Sequence, residues 1–410
     1  MNMVASVIIP THNRCASLKR MLENLGEQSF PQQNFEVIVV ADGCKDDTAN
    51  TVKNYKASFH LLLFELPGLG AASARNKGAA QANGRYLVFV DDDMELSPNF
   101  IEEHIASHKN ENDIVIGYSP LQLEPKAGTQ RMTLREWWED KFHAMRDQRY
   151  RFRYDDLTSG NFSISNSLFK KVSGFDTSLL CREDYELGYR LIKAGANFYF
   201  CHKAKAIHRD EVTNLKRSLQ RKKSEGIADM QIKAKHPDFV NRNALHYLNY
   251  GSFSKRILLR AIGFAPSLFD LLAGFGITLM NYFERFGMKP RWSKMNYRLH
   301  EYWYLRGLII SAGSVKRVYC IMKCEEFMPT PNQKLKIDLK DGLKTAEQQL
   351  DNVRPLGLEI SFGTKLIGIV NYEAGTEPIK GVHLRKILKD RFSEELASVL
   401  LPEVFPASVS

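Results

Sequence analysis

Three consecutive carboxylates, Asp91, Asp92 and Asp93, close the run Tyr86-Leu-Val-Phe-Val-Asp-Asp-Asp-Met94. The five residues before them are rich in Val and aromatics and read as a buried strand. In an open α/β sheet, ligands bind just beyond the carboxyl ends of strands, so the acids fall where chemistry is expected. Adjacent carboxylates repel, and a hard divalent cation with oxygen ligands, itself bridging phosphates, relieves that repulsion. A solvated acidic turn is the plainer alternative. A second acidic pair, Glu183-Asp184, opens a helix-like segment, either as ordinary charge complement to a helix N-terminus or as acid–base groups.

Strand-like and helix-like segments alternate around these acids. Val7–Ile9, Phe35–Val40, Phe59–Leu66 and Tyr86–Val90 read as strands. Between them, Arg14–Gln28, Asp46–Tyr55 and Ala71–Ala82 read as helices. That alternation predicts an α/β fold with a mostly parallel sheet covered by helices on both faces. Further along, Asp113–Tyr118 and Asn197–Cys201 read as strands, Thr158–Ser163 as a strand edge, and Glu183–Ala194 as a helix.

The order of motifs over residues 6 to about 208 resembles the inverting glycosyltransferases of family 2, which have the GT-A (Rossmann-like) fold. The matching pieces are Val7-Ile-Ile-Pro-Thr-His-Asn-Arg14, Val39-Val-Ala-Asp-Gly-Cys-Lys-Asp46, Gly70-Ala-Ala-Ser-Ala-Arg-Asn76, Val90-Asp-Asp-Asp93, Gly174-Phe-Asp176 and Arg182-Glu-Asp-Tyr185. The resemblance implies a nucleotide-diphosphate sugar donor, with Pro10, Thr11, Asn13, Asp42, Arg75, Asp91 and Asp92 around it. Asp42 would accept a hydrogen bond from the base, and Ala41 stands where the family often has a second acid. Arg75 would meet the pyrophosphate, since a guanidinium binds phosphate through two parallel hydrogen bonds. Asp91 and Asp93 would form the Asp-x-Asp signature that holds Mn2+ or Mg2+, Asp93 directly, with His208 as a further metal ligand. Asp184 would be the general base, with Glu183 orienting it or binding an acceptor hydroxyl. The acceptor would be a glycan or a lipid-linked saccharide.

Two other readings fit parts of the chain. A nucleotidyltransferase would carry a glycine-rich phosphate loop after the first strand, where this chain has Pro10-Thr-His-Asn-Arg14. A non-catalytic basic nucleotide-binding or scaffold protein would have no need to keep acids at 42, 91, 93 and 184.

The chain has 410 residues and a net charge of +10, which suits an anionic partner. Basic clusters occur at Arg146, Arg149, Arg151 and Arg153 and at Lys216, Arg217, Arg221, Lys222 and Lys223. No nucleic-acid-binding motif accompanies them, so an anionic membrane surface or a pyrophosphate-bearing acceptor explains them at least as well as nucleic acid. The six cysteines form no Cys-x-x-Cys pair, which points to reduced thiols. Trp137 and Trp138 read as anchors of an amphipathic helix, with sugar stacking as the sharper alternative.

Three domains are expected: residues 1–240 carrying the transferase motifs, an apolar helical region at 241–331, and a small α+β unit at 332–410. In the last, Leu358–Phe362 and Lys365–Asn371 form a hairpin around Gly363, followed by one helix, His383–Leu400. Ile257–Phe283 is apolar but interrupted by Arg260, Pro266 and Asp270. Its uncharged pieces are too short to span a bilayer core of ~30 Å, which favours buried core helices over an interfacial element. No signal peptide is read before Ser6, and the expected location is cytoplasmic, peripheral on the inner face of the plasma membrane.

Overall fold

The computed structural model describes residues 3–123, 128–209, 214–239, 253–322 and 334–404. The chain divides into two compact units. One comprises Met1–Phe142 and Tyr154–Lys323, the other His143–Arg153 and Cys324–Ser410.

The first unit is built on strands β1 (Ala5–Thr11), β2 (Phe35–Asp42), β3 (His60–Leu66), β4 (Tyr86–Val90), β5 (Met94–Leu96), β6 (Asp113–Tyr118), β7 (Asn161–Ser165) and β8 (Asn197–His208). They lie in the order β3-β2-β1-β4-β7-β6-β8-β5. β1, β2, β3 and β4 run parallel, as do β6 and β8. β7 is antiparallel to both its neighbours, and β5 to β8. The sheet is therefore mixed. β7 is also interior, between β4 and β6, where the sequence reading set Thr158–Ser163 at an edge. Asn161–Ser165 alternates polar and apolar residues, which looks half-exposed in sequence, yet all five residues are buried. His104 resolves the conflict, because its ring hydrogen-bonds Ser163 and Asn161 inside the protein.

Helices α1 (Cys15–Gly26), α2 (Thr48–Asn54), α3 (Ala71–Gln81), α4 (Phe100–Ser107), α5 (Thr129–Arg146), α6 (Asn166–Lys171), α7 (Glu183–Lys193) and α8 (Leu215–Lys235) surround this sheet. Leu18, Met21, Leu22 and Leu25 recur at helical spacing on α1, and all four are fully buried against β1 and β2 residues. β1 and β2 are buried along their whole length, as parallel strands covered on both faces must be. On the other face, Phe89 of β4 stacks on Phe162 and packs tilted against Phe169. On α3, Gly78 sits over β1, and an added Cβ would lie 2.6 Å from the Ile8 side chain.

Among the described residues, four more helices belong to this unit: α9 (Phe253–Phe264), α10 (Pro266–Arg285), α11 (Lys289–Ala312) and α12 (Val315–Met322). α8 and α11 cross at glycines. A Cβ on Gly226 would lie 2.3 Å from the Tyr304 carbonyl oxygen, and one on Gly307 2.1 Å from that of Lys223. The backbones meet because neither position has a side chain.

The second unit has strands β9 (Lys334–Asp338), β10 (Gly357–Phe362) and β11 (Lys365–Val370) in the order β11-β10-β9. β10 and β11 form the expected hairpin around Gly363, whose φ of 60° suits glycine. The segment read as one helix from His383 is two, α14 (Gly381–Arg391) and α15 (Ser393–Val404), following α13 (Leu343–Val353). Phe392 ends α14, and its ring occupies the space over Gly368 where a Cβ would clash. The basic loop before Tyr154 belongs here. Arg151 donates to the Glu377 carbonyl, and the Phe152 amide to the Glu377 carboxylate at 3.0 Å. Arg149 pairs with Asp147. Structural contacts thus account for Arg149 and Arg151.

Candidate active site

The carboxyl ends of β1, β2 and β4 converge, and most of the residues singled out from the sequence stand at or beside them. Pro10 and Thr11 end β1 in register with Val40 and Ala41 of β2. Asn13 follows in a left-handed conformation (φ 52°), and its side-chain oxygen accepts the Lys45 amide at 2.7 Å and the Asp46 amide at 3.3 Å. It ties the loop after β1 to the loop after β2.

Asp42 ends β2. Its carboxylate accepts the backbone amides of Gly68, Leu69 and Gly70 at 2.9, 2.7 and 2.6 Å. The residue expected to meet a nucleotide base therefore fixes the Pro67–Gly70 loop in this structure. Three of the roughly four acceptor positions of a carboxylate are used, which leaves about one for a ligand N–H. Gly43 packs on the same loop, with φ 67° and an imagined Cβ 3.0 Å from Gly68 Cα.

The three adjacent acids take different partners. Asp91 accepts from Arg75 Nη2 at 2.7 Å. Asp92 accepts from Arg14 Nη1 at 2.9 Å, and the same nitrogen donates to Asp93. Burial pushes the Asp92 carboxyl up to about 6, against the Thr11 hydroxyl and the Arg14 charge, which pull it down. Burial would raise Asp93 too, but His208 and Arg14 outweigh it and hold its carboxyl below the ordinary range. His208 reaches Asp93 because Met94 of β5 pairs with His208 at the end of β8. The ring Nε2 lies 3.4 Å from Asp93 Oδ1. No closer donor reaches that buried oxygen.

Arg75 does not present its fork to an open pyrophosphate site. It is 4% exposed, and while Nη2 takes Asp91, Nη1 donates to Glu183 at 2.9 Å. One buried guanidinium thus bridges the acids after β4 to the start of α7, and it does so because α3 places it beneath both. Gly160 closes the other side of Asp91, where a Cβ would lie 2.7 Å from Asp91 Oδ2.

Glu183 and Asp184 form the first turn of α7, and the amides of that turn favour negative charge. Asp184 accepts the Ser159 amide at 3.3 Å. Burial, reinforced by the neighbouring Glu183 charge, pushes its carboxyl up to about 6. A carboxylate so placed is ionised at neutral pH yet basic enough to take a proton.

Arg14 and Arg182 stand within the quoted motifs, but the sequence alone assigns neither a role. Arg14 lies one residue beyond the Pro10–Asn13 segment and supplies the cation that the acidic run demanded. Arg182, the residue before α7, is buried in a left-handed conformation (φ 60°). Its Nη1 donates to Asp229 at 2.9 Å and its Nη2 to Glu225 at 2.8 Å, both on α8. Tyr304 of α11 donates to the other Asp229 oxygen at 2.5 Å. Asp229 was the legible signal, an acid within the buried stripe of a helix. Trp138 stacks on Phe142, whereas Trp137 is half exposed, so only one of the pair anchors α5.

Metal fit can be judged from the donors present. Among the described residues no group of three or more His, Cys, Asp or Glu is arranged to hold an ion. Asp93 and His208 do offer a carboxylate and an imidazole facing one another, and the Asp93 oxygen turned to the ring takes no other donor. Two protein ligands suit a cation that completes its shell with phosphate oxygens and water. The residues therefore fit a metal bound together with a diphosphate.

Residues 6–173 match the model of glycosyl transferase family 2. The chain is 30% identical over 213 residues to a validoxylamine A glucosyltransferase of Streptomyces hygroscopicus subsp. jinggangensis, a match covering 45% of this chain and 50% of that protein. It is 27% identical over 262 residues to the uncharacterized glycosyltransferase YfnE of Bacillus subtilis, covering 52% and 67%. Among solved structures it is similar to the mannosyltransferase PcManGT of Pyrobaculum calidifontis, in complex with GDP-Man and Mn2+. That match has 17% identity and a TM-score of 0.49, covering 75% of this chain and 86% of the other. The chain spans about half the length of the first of these relatives. The similarity to glycosyl transferase family 2 lies in the N-terminal part of the chain.

Proposed function

We propose that this chain transfers a sugar, with inversion, from a nucleotide-diphosphate sugar to an acceptor hydroxyl of a glycan or lipid-linked saccharide. The observation that carries this is the Arg75 bridge between Asp91 and Glu183, which sets the acidic run and the raised carboxyl of Asp184 on one rigid support.

In this reading the donor lies over the carboxyl ends of β1, β2 and β4. The loop held by Asp42 and the one held by Asn13 frame the nucleoside end. Asp93 and His208 would hold Mn2+ or Mg2+, which supplies charge neutralisation for the departing diphosphate. Asp184 takes the proton from the acceptor hydroxyl as that oxygen attacks the anomeric carbon from the face opposite the leaving group. One C–O bond forms while the other breaks, and the electron pair leaves with the diphosphate. Arg75 keeps Glu183 and Asp91 in place, so donor and base hold a fixed separation.

A thermal-shift screen of nucleoside diphosphates with and without Mn2+ tests the binding half, because a ligand of the folded state raises its melting point by mass action. Stabilisation by one diphosphate, enhanced by Mn2+ and lost in Asp93→Ala, is expected. No stabilisation by any diphosphate would overturn the reading.

A further inference from the structure

The sequence pattern favoured buried core helices for Ile257–Phe283, and the structure places much of that apolar surface outside. Phe264 is 93% exposed at the corner between α9 and α10, where the two axes turn through 108°. Along α10, Leu268, Leu271, Phe275, Tyr282 and the following Phe286 are exposed at steps of three, four and seven residues, on one stripe. The opposite stripe is the one that packs: Ala273, Gly276 and Met280 are buried, with Gly276 against Leu299 of α11. No single helix among the described residues is long and apolar enough to cross a membrane.

Charges are sorted with the same asymmetry. Residues 253–298 carry eight Lys and Arg against two acids. Both acids are engaged within the protein. Asp270 accepts from the Tyr302 hydroxyl and lies 3.5 Å from Arg306, and Glu284 accepts the Thr129 amide at 3.0 Å. Arg256, Arg260, Arg285, Lys289, Arg291 and Lys294 are all exposed. The outward stripe of α10 therefore holds no charge until its last turn, and cations lie at either end of it.

We infer that α9 and α10 form a docking face that inserts its apolar stripe into the surface of an anionic lipid bilayer without crossing it. An exposed apolar stripe and basic flanks are the two signals that together give stable, reversible attachment. A second copy of this chain would bring the same cations against one another, so charge selects the lipid surface over self-association. The inference does not rest on the proposed transfer chemistry.

Flotation of the full chain with vesicles of phosphatidylcholine, alone or with roughly one third phosphatidylglycerol, tests it. The chain is expected to float with the anionic vesicles, less in high salt and less with phosphatidylcholine alone. Phe264→Ser combined with Phe275→Ser should lower partitioning at least about tenfold, since two large apolar groups no longer enter the interface. Neutralising Arg256, Arg260 and Arg285 to Gln should cost about fivefold per charge and flatten the salt dependence. Both variants should keep the wild-type melting temperature, as only exposed side chains change. Failure to float with either vesicle would overturn the inference. So would equal flotation of the Phe264→Ser, Phe275→Ser variant, or a vesicle-free dimer that this variant turns into monomer. The nucleoside-diphosphate screen reads the active site separately, so either conclusion can fail alone.

Discussion

The sharpest test of the proposed mechanism is the pH dependence of transfer and how Glu183 sets it. Burial and the Glu183 charge push the Asp184 carboxyl up to about 6, so the protonated form is favoured below that pH and the working base above it. With the donor identified by the binding screen, kcat measured as diphosphate release should rise through a midpoint near pH 6 and level off above about pH 7. Asp184→Asn keeps the shape but cannot take the proton, and should lower kcat by roughly 10²–10⁴-fold while diphosphate binding survives. Glu183→Gln acts on the midpoint. It removes a like charge beside Asp184 and leaves the Arg75 charge less compensated, since Glu183 is one of its two partners. Both changes favour the ionised form, so the midpoint must move to lower pH, with each unit worth about 1.4 kcal/mol. A Glu183→Gln midpoint that stays in place or moves alkaline would refute this electrostatic account. Near-normal turnover by Asp184→Asn would remove that residue from the role of base.

Three other outcomes follow from named contacts. Arg14→Ala leaves the buried Asp92 and the half-buried Asp93 without their guanidinium; loss of one partner from a fully buried pair costs about 3–5 kcal/mol, and the partly exposed Arg14 sets the expectation below that range. Thermal unfolding should show that drop, partly reversed by Mn2+ together with the diphosphate; no change in melting temperature would refute the pairing. Arg182→Leu strands Asp229 and Glu225 and loosens the start of α7, so it should lower kcat along with stability, whereas Tyr304→Phe, which leaves the Arg182 fork intact, should cost only about 1–3 kcal/mol and spare kcat. Gly307→Val drives a side chain into the Lys223 carbonyl and should destabilise by about 1–3 kcal/mol or more, read as a lower urea midpoint.

Much of the first unit was legible because its strands are short, apolar and followed by helices with clear spacing, as in Val7–Ile9 and Leu18–Leu25. Such patterns report burial directly. β7 escaped correct placement for the reason that its polar alternation mimics a half-exposed strand. Its polar side chains are satisfied by His104, a partner 57 residues away in sequence from Asn161 that no local pattern reveals. The apolar helices failed in the opposite direction: an uncharged stretch says that surface avoids water but not what covers it. Asp270 and Arg260, which seemed merely to interrupt a core helix, mark two different sides, one turned to Tyr302 and the other to solvent.

At the site, residue types were legible and partners were not. Three adjacent acids demand positive charge, and that inference requires only Coulomb repulsion at short range. Sequence pointed to a metal for the whole run. The fold divides the demand among Arg75 for Asp91, Arg14 for Asp92 and Asp93, and His208 facing the remaining oxygen of Asp93. The consequence is chemical. A cation entering at Asp93 meets a carboxylate already shared with Arg14, so its affinity without diphosphate should be low and should rise when phosphate oxygens complete its shell. Binding of metal and donor would then be mutually dependent, each raising the affinity of the other by the same factor.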